Sequence, residues 1–265
     1  MKETTDFRRG APRQSPKRIP PIQASAPAAG LRDTDRSEDH QAATLTKSVY
    51  EQLRTDVLSG RLRPGEKLGA GALRKRFNTG SSPVREALNR LLSEGFVALE
   101  EQKGFRVAPV SREELSELVT ARCWIDGAAV RESVARFDTS WEENLILALH
   151  RLAKTTRSKL RISENSEWEN RHKAFHMALI GGCGTHWIVH ISEQLFDAAE
   201  RYRLLGVDLV PERNELEEHR AIVDACMARD ADTAVELLKL HYGRTYDVIV
   251  NSLLAPPPDD TVPSE

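Results

Sequence analysis

The sequence predicts a mainly α-helical protein with one small β-hairpin in its N-terminal half. Two observations support this fold class. Apolar residues recur at helical spacing through most of the 265-residue chain. Only two short runs, 96–99 and 105–110, have the length and composition of strands. No strand pattern follows Ser111, so the second half is expected to be an all-α antiparallel helical bundle.

Composition narrows the class of protein. The chain is 40% hydrophobic and 29% charged, which is ordinary for a globular protein. No apolar run approaches the about 20 residues of a membrane-spanning helix, so no membrane partner is expected. The 3 cysteines are widely spaced and form no CxxC pair, which argues against a disulfide framework or a cysteine zinc site. They fit a reducing cytoplasm.

Charge divides the chain into a basic and an acidic part. Residues 41–110 carry 12 basic and 7 acidic side chains, whereas residues 111–265 have a net charge of −9. A basic module joined to an acidic one fits DNA binding by the first, which would associate the protein with the nucleoid. Residues 1–41 and 255–265 lack any helical or strand period and are expected to be a disordered basic leader and a disordered tail.

The stretch from Ser81 to Gly95 predicts a short amphipathic helix. Ser82 is a good N-cap, Pro83 suits the first helical position, and Gly95 suits the position that follows the last turn. One face is built to be buried, because its apolar residues fall at i, i+3, i+4 and i+7. These residues are Val84, Ala87, Leu88 and Leu91.

The opposite face of this helix has the chemistry of a major-groove reader. It carries Arg85 and Asn89 one turn apart, with Ser81 and Ser82 at its N-terminal end. Arginine can bind guanine through two hydrogen bonds, asparagine can bind adenine, and a helix N-terminus attracts phosphate. An ordinary surface helix can show the same pattern, so the surrounding elements decide between the two interpretations.

Those elements predict a winged helix-turn-helix domain over residues 42–110. One helix is expected from Leu45 to Ser59 and a shorter one from Ala70 to Phe77. The helix that begins near Ser81 follows after a turn. The two strand-like runs on either side of residues 100–104 then form the hairpin wing.

Three segments of this domain resemble GntR-family transcription regulators, namely VYEQLRTDVLSGRLRPGEKL, SSPVREALNRLLSEGFV and KGFRVAPVS. The resemblance implies that Arg85 contacts DNA, that Gly104 is the wing glycine and that Lys103 beside it can reach a minor groove. Arg74 would contact phosphate or remain solvated. Ser81 stands where many members have a second DNA-contacting arginine, so the operator sequence stays open.

Six helices are predicted over residues 111–254, and S-x-x-E capping boxes at Ser111, Ser140 and Ser166 begin three of them. Pro211 and Asp230 mark two further starts. The expected ranges are 112–137, 141–158, 166–181, 185–206, 212–229 and 231–253. The segments ELSELVTARCWIDGAAVRESVA, RHKAFHMALIGGCG and EEHRAIVDACMARDADTAVELLKLH, together with RYR at 201–203, resemble the FCD effector domain of the FadR-like branch of that family.

Four histidines of the predicted bundle have the spacing of a metal site. His172 and His176 are four residues apart on one helix face, and His219 and His241 lie on later helices. Neutral imidazoles that project inward from three helices can bind a divalent ion, although most histidines in proteins are surface or core groups. Three others are expected to be structural or exposed: His150, His186 and His190.

The FCD resemblance implies how these histidines would bind metal. Metal-binding FCD domains use Asp-x3-His on one helix and two later histidines, and His176, His219 and His241 match the three histidines. His172 stands at the aspartate, so it is either a fourth ligand or a hydrogen-bonding partner of an effector. A nitrogen-rich set favours Zn²⁺, Ni²⁺ or Cu²⁺ over Mg²⁺ or Ca²⁺. Zn²⁺ or Ni²⁺ is the expected cofactor.

Three arginines are candidate effector-binding residues. Arg122 lies among apolar positions of the first bundle helix, where it would form a structural ion pair or, as the resemblance implies, bind a carboxylate. Arg201 and Arg203 belong to the RYR segment, and residues two apart on a helix point differently, so only one can face inward. The expected effector is a small carboxylate, and a dicarboxylate such as glutarate would join the metal to Arg122.

The leading hypothesis is a ligand-responsive transcription regulator, expected to be a repressor, that binds an inverted-repeat operator in double-stranded DNA as a homodimer. A regulator that senses the metal itself is the alternative. A metal-dependent hydrolase or lyase tethered to DNA is a remote one, because no P-loop, nucleophile elbow or HExxH occurs. Glu217 and Glu218 flank His219, but neighbouring helix positions diverge by about 100°. We therefore expect no enzyme.

Overall fold

The computed structural model describes residues 33–157, 166–206 and 213–254. Within these ranges the elements are α1 Asp33–Leu58, β1 Lys67–Leu68, α2 Ala70–Phe77, α3 Ser81–Ser93, β2 Val97–Glu100, β3 Gly104–Val107, α4 Arg112–Arg136, α5 Thr139–Lys154, α6 Ser166–Ile180, α7 His186–Gly206, α8 Glu215–Met227 and α9 Ala231–Ser252. The mainly α-helical fold, with a small sheet beside the DNA-reading helices and a helical second half, is confirmed. No helix in these ranges combines the length and hydrophobicity that a bilayer crossing requires.

The first helix begins earlier than the sequence predicted. α1 starts at Asp33, so residues 33–41, which the sequence assigned to the leader, are helical. Residues 1–32 and 255–265, and the predicted helix start at Pro211, lie outside the described residues. Of the apolar residues of α1, Val49, Leu53 and Val57 are buried, whereas Leu45 is 39% exposed. Of these four residues, Leu45 alone therefore lies outside the core.

α1, α2 and α3 pack around one apolar core beside the sheet. α3 contributes the four apolar residues predicted for its buried face, and α2 contributes Leu73. The end of α3 is also as predicted. Gly95 has a φ of 77°, and the N–H of Phe96 donates to the carbonyl oxygen of Leu91 at 3.0 Å. This hydrogen bond and the left-handed glycine define a Schellman end, which turns the chain into β2.

The sheet has three strands rather than the predicted two. Its order is β1-β3-β2, and both pairings are antiparallel. Lys67 of β1 pairs with Arg106 of β3, and Val97 of β2 pairs with Val107. β1 is only 2 residues long, so it has no period that the sequence could reveal.

The starts of α3, α5 and α8 differ from the prediction. α8 begins at Glu215, with Asn214 as its N-cap, rather than at residue 212. α3 begins at Ser81 with Gly80 as its N-cap, so Ser82 lies inside the helix. α5 begins at Thr139, because the carboxylate of Asp138 accepts a hydrogen bond from the N–H of Ser140 and caps the helix earlier. In contrast, Ser111 caps α4 and Asp230 caps α9 as expected.

α4 is the central helix of the bundle and packs against α6, α7 and α9. α5 packs on α6 and α8, and α8 packs on α9. The turn after α6 approaches α5 so closely that a Cβ atom on Gly182 would lie 2.8 Å from the Trp141 ring. Glycine at this position thus leaves room for the Trp141 ring to pack against the turn.

The DNA-reading part and the bundle belong to one compact unit that begins at His40. Residues 108–111 connect β3 to α4. A second contact joins Gly60, in the turn after α1, to Leu205 near the end of α7. A Cβ atom on Gly60 would lie 2.9 Å from Leu205 Cδ2, and the φ of Gly60 is 71°. Glycine is therefore required where the two parts meet.

Candidate functional site

α3 presents the predicted polar face to solvent. Ser81, Ser82, Arg85 and Asn89 are exposed, whereas the apolar residues on the opposite side are buried. Within the described ranges, no residue forms a hydrogen bond or ion pair with Arg85 or Asn89. Both side chains are therefore available to the edges of bases.

The first turn of α3 gathers further polar groups. Gly80 caps the helix without a side-chain hydrogen bond, so the first N–H groups remain open to a phosphate. Arg74 of α2 donates from Nη1 to Ser81 Oγ at 3.3 Å, which brings its guanidinium to the same surface. Ser82 Oγ instead donates to Glu86 Oε1 at 2.8 Å, so this hydroxyl is engaged within the helix.

The turn between β2 and β3 has the form of a wing. Gly104 has a φ of 85°, a conformation that favours glycine. Lys103 is exposed, and its Nζ atom lies 3.8 Å from Glu100 Oε2 in a surface ion pair. Such a pair is weak, so Lys103 can exchange Glu100 for a phosphate.

The other site lies inside the bundle, where three helices bring four histidines together. His172 and His176 come from α6, His219 from α8 and His241 from α9. All four are buried, and their ligand nitrogens lie within 4.8 Å of one another. The Nε2 atoms of His172 and His176 are 3.1 Å apart. The other three histidines named above are exposed, as expected.

This histidine cluster fits a divalent metal. Within the described ranges, His172 Nδ1, His176 Nδ1 and His219 Nε2 are buried without a hydrogen-bond partner. Burial, together with the neighbouring imidazoles, holds the pKa of each of these three rings well below its ordinary value. The rings are therefore neutral near pH 7. Neutral imidazoles at this spacing can bind Zn²⁺ or Ni²⁺, which would satisfy nitrogens that otherwise lack a partner.

A second group of possible ligands is already neutralised by a cation. It consists of Glu169, His172 and Glu200. Arg203 donates from Nη2 to both carboxylates, and its Nε atom donates to Glu200 Oε2 at 2.8 Å. Because Arg203 already binds both acids, the four histidines are the better candidate set of metal ligands.

A cavity of about 30 Å³ adjoins the histidine cluster. Side chains of α4, α6, α7, α8 and α9 line it, and they include Arg122, His172, His176, Glu200, Arg203 and His241. This volume holds roughly one or two water molecules. Three of the four clustered histidines and two of the three candidate arginines thus line one cavity.

Arg122 reaches this cavity from α4. Its guanidinium lies 4.0 Å over the Tyr242 ring, and its Nε atom is 3.5 Å from Asp126 Oδ2. Tyr242 donates its hydroxyl proton to the same Oδ2 at 2.7 Å. Arg122 Nε and Nη2 have no hydrogen-bond partner within the described ranges. Arg122 is therefore ion-paired with Asp126, and its buried Nη2 donor has no hydrogen-bond partner within the described ranges.

Arg201 does not belong to the cavity, which corrects its place among the effector-binding candidates. Among the described residues, those that line the cavity include Arg203 but not Arg201. Arg201 donates from Nη2 to the carbonyl oxygen of Ala108, and its Nη1 lies 3.5 Å from that of Pro109. Tyr202, the residue between the two arginines, bonds through its hydroxyl to the N–H of Ser111 at 3.3 Å. The side chains of Arg201 and Tyr202 therefore bind the segment 108–111, which leads into α4.

Sequence reasoning missed three residues that support the site. Asp126 follows Arg122 by one helical turn, so the sequence alone could have indicated this ion pair. Tyr242 lies on α9, far along the chain, so no local spacing could have indicated its contact with Asp126. Glu218 was dismissed because it diverges from His219. Its Oε2 atom instead lies 2.9 Å from His241 Nδ1. Burial would raise the pKa of Glu218, but hydrogen bonds from Arg213 and His241 outweigh it and hold that pKa well below its ordinary value.

Comparisons with known proteins agree with this architecture. Residues 45–107 match the family described as "Bacterial regulatory proteins, gntR family", and residues 117–244 match the FCD domain. The HTH-type transcriptional repressor GlaR of Escherichia coli (strain K12) is 35% identical over 199 residues, which cover 72% of this chain and 90% of that protein. The uncharacterised HTH-type regulator BphR of Paraburkholderia xenovorans (strain LB400) is 33% identical, covering 78% of this chain and 85% of BphR. The solved structure of E. coli McbR/YncC has a TM-score of 0.62 at 20% identity, covering 78% of this chain and 97% of its own.

An exposed reading helix, a wing and an all-helical second half define a bacterial DNA-binding transcription regulator rather than an enzyme. The chain belongs to the GntR family and carries an FCD domain.

Proposed function

We propose that this regulator represses transcription from an inverted-repeat operator as a homodimer, under the control of a small carboxylate that binds beside a metal ion in the bundle. One observation carries the proposal. The cavity is lined by three of the four buried histidines and by Arg122, a buried arginine whose Nη2 donor has no partner within the described ranges. A carboxylate is the chemical group that both a divalent metal and a guanidinium bind well.

The metal would be held by His172, His176, His219 and His241. When bound, Zn²⁺ or Ni²⁺ supplies a positive centre that takes an oxygen ligand. The cluster contains no carboxylate among its four nitrogen donors, so the bound ion keeps its positive charge. That charge favours an anionic effector over a neutral or cationic one.

Arg122 would bind the other end of the effector. Asp126 and the Tyr242 ring hold its guanidinium in place, so little side-chain entropy is lost when it binds. Its Nη2 donor has no hydrogen-bond partner within the described ranges and can donate to an oxygen of a carboxylate. A dicarboxylate such as glutarate can therefore join the metal to Arg122.

The size of the cavity supports a coupling between effector and DNA binding. A space of about 30 Å³ cannot hold a dicarboxylate, so binding must displace a wall. Glu200 and Arg203 form the wall that belongs to the last turns of α7. The same turns hold the connection to the DNA-reading part through Arg201 and Tyr202. Displacement of this wall would therefore move residues 108–111.

Dimerisation is supported by large apolar side chains on the bundle surface. Trp124 of α4 is 74% exposed and Trp187 of α7 is 65% exposed. Ile191 follows Trp187 by one helical turn and is 40% exposed. Exposed apolar groups of this size are typical of protein contact surfaces. Repression is supported by two relatives from E. coli that are named as transcriptional repressors, GlaR and RspR.

A screen of ligands on the metal-loaded chain tests the proposal. Thermal-shift measurements with mono- and dicarboxylates, sugars, amines and acyl thioesters should show stabilisation by a carboxylate, and this should be lost in Arg122→Ala. The same compound should alter binding to a duplex obtained by selection from random sequence. Stabilisation by sugars, amines or thioesters alone would contradict the proposed effector class.

The cavity volume also favours a second candidate function, in which the metal ion itself is the signal. A space for one or two water molecules accommodates the water ligands of a histidine-bound ion without rearrangement. Gel shifts with the apo and metal-loaded chain, in the absence of any organic compound, distinguish the two. A metal-dependent change of affinity that no carboxylate modifies would favour the sensor.

A further inference from the structure

The two ring nitrogens of His241 have different surroundings. Nδ1 lies 2.9 Å from Glu218 Oε2 and 3.1 Å from Arg213 Nη2. The ring lies against the other histidines, with centroid distances of 4.6 Å to His219 and 5.4 Å to His176. Because Nδ1 is engaged outside the cluster, Nε2 is the nitrogen that His241 can offer to a metal.

The chemistry of the two partners decides the tautomer of this ring. A carboxylate only accepts hydrogen bonds and a guanidinium only donates them, so Nδ1 can satisfy one of the two but not both. Arg213 has other acceptors. It binds both oxygens of Glu218, and it donates to Thr245 Oγ1 at 2.8 Å and to the carbonyl oxygen of His241 at 3.0 Å. Glu218 is the partner that needs the Nδ1 proton.

Glu218 is itself fixed and ionised. Arg213 binds it through two hydrogen bonds, and Arg244 Nη1 lies 3.2 Å from its Oε1 atom. Two guanidinium groups therefore hold the carboxylate in one orientation, with Oε2 towards His241. An anchored carboxylate of this kind sets the direction of the imidazole that donates to it.

We propose that Glu218 is the positioning residue of the metal site, which holds His241 with a proton on Nδ1 and the lone pair of Nε2 towards the ion. This inference rests on the metal site proposed above. It also explains why Glu218 and His219 are neighbours on α8: His219 would bind the ion directly, and Glu218 would orient His241, the ligand from α9. The four imidazoles carry no negative charge of their own. The carboxylate of Glu218 supplies a negative charge that is one hydrogen bond away from the ligand His241.

The test measures Zn²⁺ affinity of the full chain by competition with a chromogenic chelator. We expect Glu218→Ala to weaken binding by about 10- to 100-fold, the usual effect of removing a partner of a metal-bound histidine. Glu218→Gln keeps the size of the side chain and should weaken binding less. The matched control is Glu217→Gln, because Glu217 directly precedes Glu218 on α8, is exposed and, among the described residues, forms an ion pair with Arg220 alone.

The outcomes separate this inference from the metal site on which it rests. No Zn²⁺ binding by the wild-type chain would contradict the site itself. Tight binding by the wild type with unchanged affinity in both Glu218 variants would overturn the role of Glu218 alone.

A second measurement does not depend on metal. Long-range ¹H–¹⁵N spectra of the ¹⁵N-histidine-labelled apo chain should show one ring protonated on Nδ1 that disappears in His241→Asn, and that changes tautomer in Glu218→Ala. An Nε2-protonated His241 in the wild type would overturn the proposal even if the variants lose affinity through misfolding.

Discussion

Arg201 donates a hydrogen bond from its buried guanidinium to the main-chain carbonyl oxygen of Ala108, 93 residues earlier in the chain. Ala108 follows the last strand of the winged domain, and Arg201 lies on the helix whose next turn lines the effector cavity. This contact therefore connects the helix that lines the cavity to the segment that follows the wing.

We predict that Arg201→Ala loosens the connection without changing the DNA sequence that is recognised. The substitution leaves a buried carbonyl oxygen without its donor, so residues 108–111 should exchange their amide hydrogens faster. Hydrogen-exchange mass spectrometry measures this. Arg220→Ala, a change on the surface of α8, is the control. Unchanged exchange in Arg201→Ala would mean that this side chain does not hold the connection.

We predict that Arg85→Ala weakens binding to a selected operator by ~1–3 kcal/mol and has a smaller effect on random duplex, because the arginine reads a base. Gel-shift titration against both duplexes is the measurement. Arg90→Ala is a suitable control on the same helix, since the Arg90 guanidinium lies 3.7 Å over the Tyr50 ring and is ion-paired with Glu94. Equal operator affinity in wild type and Arg85→Ala would remove Arg85 from the interface.

We predict that the chain purifies with about one divalent ion per subunit when chelators are omitted, since four neutral imidazoles offer enough nitrogen donors to hold Zn²⁺ or Ni²⁺. His219→Ala should lose most of the ion, because it removes one ligand from the centre of the cluster. Elemental analysis by mass spectrometry measures the content. His190→Ala, an exposed histidine of α7, should retain the metal. Equal metal content in both variants would contradict the assigned ligands.

We predict that Tyr242→Phe lowers the unfolding midpoint and weakens carboxylate binding together. Asp126 Oδ1 already lacks a partner within the described ranges, and the substitution would also remove the hydroxyl that donates to Oδ2. A buried acceptor that loses its donor costs about 1–3 kcal/mol, and Asp126 would then hold Arg122 less firmly. Thermal unfolding with and without the carboxylate found in the screen is the measurement.

Tyr246→Phe is the control for this prediction. Tyr246 also lines the cavity, but its hydroxyl makes no hydrogen bond within the described ranges. If both tyrosine variants unfold and bind alike, the pair of Tyr242 and Asp126 has no special part in holding Arg122.

The sequence alone determined the features that depend on local spacing. The buried and exposed faces of α3 follow from the helical period, and the pairing of His172 with His176 follows from their separation by one turn. The glycine end of α3 and the serine cap of α4 were also predictable, because each involves atoms only a few residues apart. Such interactions are the same in any fold that contains the helix.

Only the tertiary structure decided which distant residues meet. It placed Arg203 in the cavity and Arg201 on the connection, a choice that the sequence left open because it depends on how α7 is rotated against α4. It brought Glu218 to His241 across two helices, and it added β1 to the hairpin. Contacts between residues far apart in the chain depend on helix rotation and separation, which packing of the whole core determines and no local period records.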